Sequence, residues 1–144
     1  MKKNILTKLF LIGILPFAFS INAHDNSKTS PSAKDAKVYI IEPADGAVVS
    51  ENVVVKFGLK GMGVAPAGTD KANTGHHHLM IDGHMPPKAG LPMGGEVKHF
   101  GGGQTETTIT LSKGKHTLQL IMGDKSHIPH SPMVLSKKIT ITVE

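Results

Sequence analysis

The sequence predicts an all-β protein: a single immunoglobulin-like antiparallel β-sandwich of about seven strands, preceded by a signal peptide and a short linker. Three observations carry that expectation. Short runs rich in β-branched residues recur through residues 37–144, separated by Gly, Pro, Asn and Asp. Apolar residues within the runs alternate with a period of two, and no helical period follows the N-terminal segment. Cysteine is absent, so an exported domain of this kind must rely on its core rather than on disulfides.

The N-terminus has the layout of a secretory signal. Lys2, Lys3 and Lys8 supply positive charge, residues 9–19 are apolar, and small residues follow at Ser20 and Ala23. The apolar run is shorter than the roughly 20 residues that a membrane span requires. Cleavage is expected after Ser20 or Ala23. The second cut makes His24 the new N-terminus and leaves 121 of the 144 residues, enough for one domain with a core. The expected division is therefore a signal peptide at 1–23, a flexible linker at 24–36 and the β domain at 37–144. The linker reading rests on the polar stretch HDNSKTSPSAKDA. The short Lys-Lys region is of bacterial type, so the mature protein is expected in a periplasm, with secretion from a Gram-positive cell as the alternative. Without cysteine it lacks the attachment point for a bacterial lipid anchor, so no membrane attachment is expected after signal removal.

Within the domain, Val38-Tyr39-Ile40-Ile41 reads as the first strand, stopped by Glu42-Pro43 and the turn Ala44-Asp45-Gly46. Residues 53–59 form a second, with Val53, Val55, Phe57 and Leu59 on one face. Residues 61–75 and 83–95 are rich in Gly and Pro and read as long loops. Between them lies a third strand, His77-His78-Leu79-Met80-Ile81-Asp82. A brief strand at 97–100 precedes the turn Gly101-Gly102-Gly103. Alternation returns at 105–111, at 116–122 and at 137–143, where Ile139, Ile141 and Val143 share a face.

Composition narrows the function. The formal charge of +5 falls to +2 once Lys2, Lys3 and Lys8 leave with the signal. Arginine is absent, and with it the residue that clamps phosphates and reads guanine edges. Nucleic acid is not an expected partner. No Gly-x-Ser-x-Gly elbow and no cysteine nucleophile occur, so catalysis by protein groups is not expected.

Histidine is the conspicuous residue. Nine are present: His24, His76, His77, His78, His84, His99, His116, His127 and His130. Six methionines follow Met1, several beside histidines, as in His84-Met85. On a strand, His76 and His78 point to one side with Met80, about 7 Å apart at Cα, while His77, Leu79 and Ile81 point to the other. Imidazole suits zinc and copper, and thioether suits copper(I). The expected metal set is His76, His78, His84, His99, His127 and His130. The same rings can instead tether the Gly/Pro loops by bonding backbone carbonyls. His116, Met62 and Met122 read as packing residues. An exposed N-terminal His24 is a further candidate for chelating copper(II), on which a copper oxidase or oxygenase reading would rest.

Taken together, several segments resemble a known family. They are Glu42-Pro43-Ala44-Asp45-Gly46, residues 55–68 (VKFGLKGMGVAPAG), residues 75–83 (GHHHLMIDG), residues 99–106 (HFGGGQTE) and Gly114-Lys115-His116-Thr117-Leu118. The chain resembles the exported bacterial family catalogued as domain of unknown function 4399, over about residues 37–144. The resemblance implies a periplasmic β-sandwich and no particular activity. Members often read His-x-His-Phe before the glycines, where this chain has Val97-Lys98-His99-Phe100.

Two functions are thus expected from the sequence. The first is a non-catalytic periplasmic carrier or buffer for a copper or zinc ion, with a periplasmic protein as a further partner. The second is an envelope interaction module whose histidines are structural. Geometry discriminates: three or more imidazoles converging on one point favour the first. Competition from protons predicts weaker metal binding near pH 5 than near pH 7.5.

Overall fold

The structure, a computed structural model, describes residues 29–144. The expected signal segment 1–23, His24 and the expected linker through residue 28 lie outside the described residues. Nine strands are present and no helix occurs among the described residues. They are β1 (Lys37–Glu42), β2 (Val48–Val49), β3 (Asn52–Lys60), β4 (Gly63–Val64), β5 (Thr74–Ile81), β6 (Lys98–His99), β7 (Glu106–Thr110), β8 (Gly114–Gly123) and β9 (Ile139–Val143). The seven expected runs each carry a strand. The two additions, β2 and β4, are too short to show any period.

The strands form two sheets. One has the order β1-β3-β7, antiparallel throughout, with Val38 opposite Leu59 and Val53 opposite Ile109. The other has the order β2-β9-β8-β5-β4, and β6 also pairs with β5. The expectation of purely antiparallel pairing needs correction at two places. The β2–β9 and β4–β5 pairs are parallel. Each is two residues long and joined by no tight hairpin, so no turn imposes the antiparallel direction.

Alternation builds the core. Val53, Val55 and Phe57 of β3 face inward with Val38 and Ile109. Leu118, Leu120 and Met122 of β8 and Ile139, Ile141 and Val143 of β9 meet them from the other sheet. One cluster therefore spans both sheets, and each fully buried Leu or Ile contributes roughly 1.5–3 kcal/mol. Met122 is part of this core, and Met62 packs against it.

Strand β5 departs from simple alternation. His77 stacks on Phe57 at a centroid distance of 5.1 Å, and Leu79 joins the core, as the period of two requires. Yet His76, His78 and Met80, which point the other way, are buried as well. Loops cover that outer face. The Met93 N–H donates to the His127 carbonyl at 2.9 Å, knitting the segment after β5 to the segment after β8. The described part of the stretch read as a linker also lies against the domain. Ser32 N–H donates to the Ser131 carbonyl at 3.1 Å, and Ser131 N–H donates back to Ser30 at 3.0 Å.

Candidate metal centre

Pairing register assembles four histidines on the covered face of β5. His76 and His78 are two residues apart, so their rings emerge on the same side. His99 of β6 is the direct cross-strand partner of His78, which puts its ring on that side too. His127 arrives from the loop after β8, in the left-handed region with φ of 64°. Four ligand nitrogens, one from each of His76, His78, His99 and His127, lie within 4.8 Å of one another. Ring centroids are separated by 4.5 Å for His99–His127 and 4.6 Å for His76–His78. His76 Nε2 is 3.1 Å from His127 Nδ1.

The floor of the site is glycine. A Cβ on Gly123 would lie 2.5 Å from His78 Cε1 and 2.8 Å from the Met93 methyl carbon. A Cβ on Gly101 would clash with the His99 ring at Cε1. These rings occupy space that any other residue would fill. Met93, buried beside His78, puts its thioether end at the wall of the site.

The electrostatics keep the buried rings unprotonated. Burial first, then the neighbouring His99 and His127, push the His76 pKa down to about 4, against a partial counter-pull from Asp124. Burial, followed by His76, His99 and His127, pushes His78 to about 3. Partial desolvation of the exposed His99, and then the neighbouring His127, lower its pKa as well. His76 and His78 are therefore neutral at pH 7, with lone pairs available. Among the described residues, His76 Nδ1 and His78 Nδ1 are buried without a hydrogen-bond partner of ordinary geometry, an expensive condition for a polar atom, and only a weak backbone contribution from His76 acts on His78. Several buried histidines here could hold a metal ion. Zinc–imidazole bonds of about 2.0–2.1 Å require nitrogens about 3.3 Å apart in a tetrahedron. The present spread contracts to that if each nitrogen moves inward by less than about 1 Å, within reach of a ring rotation.

Two members of the expected set lie elsewhere. His84 is exposed beyond the end of β5. His130 is buried, but its ring lies 3.1 Å from the Thr74 carbonyl and 3.5 Å from the Met122 carbonyl. It ties loop to strand, the tethering role foreseen as an alternative. His116 bonds Asp82 at 2.7 Å and the Ser112 carbonyl at 2.9 Å, and takes no part in the cluster.

The family model described as Domain of unknown function (DUF4399) matches residues 55–144. The chain belongs to the DUF4399 family. All four clustered histidines of this DUF4399 chain fall inside the matched span, whereas β1 and β2 precede it. No curated protein and no solved structure matches the chain.

Sequence reasoning missed the supports of the site. Gly123, ending the apolar run of β8, is the kind of strand glycine that marks close approach of another group. Asp124 followed by Ser126 and His127 carries the signal of an Asx turn. Met93 gave no signal, because its place depends on how its loop folds back.

Proposed function

We propose that this protein is a periplasmic metal-binding protein that carries or buffers a copper or zinc ion through His76, His78, His99 and His127, without catalysing a reaction. The observation that carries this reading is the convergence of four imidazoles, two of them buried, neutral and short of hydrogen-bond partners. Four nitrogen donors suit zinc or copper better than magnesium or calcium, which take oxygen. The proposal includes export by the N-terminal signal, release as a soluble immunoglobulin-like sandwich, and a periplasmic protein that delivers or receives the ion. Exposure of His99, against burial of His76 and His78, suits exchange from one side. Titration of the purified protein with Zn2+ and Cu2+ tests it. Micromolar or tighter binding of one ion per chain, abolished by His76→Ala/His78→Ala, is expected.

A second reading has its own observation. Tyr39, Ile41 and Val54 are exposed on the outer face of the β1-β3-β7 sheet, an apolar surface open to a partner. Under that reading the chain is a non-catalytic envelope interaction module with structural histidines, and it binds neither metal.

A further inference from the structure

The loop that delivers His127 is held at both ends by groups outside the cluster. Asp124, 3 % exposed, holds the near end. Its Oδ1 accepts from Ser126 N–H at 2.9 Å and from Ile128 N–H at 3.0 Å, one residue to either side of His127. Its backbone carbonyl accepts from His127 N–H at 2.9 Å, and its own N–H donates to the Ile128 carbonyl at 2.9 Å. Four bonds thus enclose a residue whose left-handed backbone is strained for a non-glycine and persists only where its surroundings fix it.

The other carboxylate oxygen faces the N-terminal strap Ser30-Pro31-Ser32. Oδ2 accepts from Ser30 Oγ at 2.8 Å and, more weakly, from Ser30 N–H at 3.4 Å. The strap then runs beside the far end of the same loop, through the Pro31–Ser131 bridge and the two Ser131 bonds. One buried carboxylate therefore joins strap to ligand loop.

We propose that Asp124 is a positioning residue for His127, and that the strap acts on the metal centre through it. The inference rests on the metal-binding reading above but concerns different residues. Groups that orient a ligand without touching the ion typically account for 10–100-fold in affinity. Residues in one network should also act non-additively. Asp124→Asn keeps one acceptor oxygen for the loop and disrupts the strap side, so it should resemble Ser30→Ala.

Zinc affinity is measured in the purified protein and its variants, with amide exchange and the His127 ring signals followed by NMR in the metal-free state. Ser30→Ala and Asp124→Asn are each expected to weaken zinc about threefold, and no further when combined. Asp124→Ala is expected to weaken it about tenfold and to speed exchange of the Ser126 and Ile128 amides. In a His127→Ala background the same changes should become silent. An undiminished effect in that background means that Asp124 acts through general stability or through its charge near His76 rather than through His127, and overturns the proposal. So does unaltered affinity in Asp124→Ala. If the intact protein binds neither zinc nor copper, the metal reading fails, and the positioning claim is decided by the metal-free spectra. Shifted His127 ring signals in Ser30→Ala then support it, and unchanged signals overturn it.

Discussion

An imidazole offers a metal its lone pair only when that nitrogen carries no proton. Burial has already secured this for His76 and His78, at about 4 and about 3. Protons then compete with a metal at these two rings only near those values. These values concern two of the four clustered rings. We predict that zinc affinity weakens as pH falls from about 7.5 to about 5, because protons compete for imidazole ligands, and weakens further below about pH 5 as His76 and His78 take up protons; unchanged affinity from about pH 7.5 to about pH 5 would contradict imidazole ligation. The same shifts act on stability. The unfolded chain gains these protons near pH 6.5, where the folded chain still resists them. It therefore binds more protons between about pH 6.5 and about 4, and stability falls as pH falls through that window. Thermal unfolding of the metal-free protein should show this slope, and His76→Gln/His78→Gln should flatten it. His77 faces the core, with burial lowering its pKa against a partial backbone contribution from Gln104. Its two ring nitrogens make no hydrogen bond of ordinary geometry. His77→Leu should raise stability by about 1 kcal/mol in denaturant titrations and leave metal binding intact. A loss of stability would show that His77 has a polar role.

At the scale of elements, the site depends on how close β8 comes to the ring of His78. Gly123→Ala puts a Cβ against a buried ring on a central strand, so it should weaken metal binding about tenfold or more. Gly95→Ala meets nothing within 4 Å and serves as the neutral control; equal affinity in the two variants would remove the glycine floor from the account. The pair His116–Asp82 joins the end of β5 to β8. Hydrogen bonding to Asp82 raises the His116 pKa. The stabilisation is therefore fully present below about pH 6.5 and is lost as pH rises through the raised value. His116→Gln should cost more stability at pH 6 than at pH 9, and a larger cost at pH 9 would reverse the assignment. These elements also show what the sequence made legible. Alternation placed the six longer strands and the two faces of β5, and the glycine turn at 101–103 marked the brief β6. It could not show β2 or β4, two residues each, or the loop cover that buries His76 and His78. The histidines were legible as a set, but their sorting was not. His99 enters because β6 pairs in register with β5, whereas His130 is turned towards the Thr74 and Met122 carbonyls after the Gly123–Pro129 bridge.

At the scale of the molecule, core and site are separate. The apolar cluster joins both sheets without using any of the four clustered imidazoles. The protein should therefore fold without metal and gain stability from it by mass action, about 2.7 kcal/mol at free metal a hundredfold above Kd. The N-terminal strap and the loop after β8 form the seam between residues 30–32 and the four-histidine cluster. The most direct test of the central claim is a calorimetric titration of the purified protein with Zn2+ and Cu2+, run beside His76→Ala/His78→Ala. The account predicts one ion per chain with micromolar or tighter affinity, lost in the double variant. Absence of binding of either metal to the intact protein, or equal binding by the variant, would contradict it.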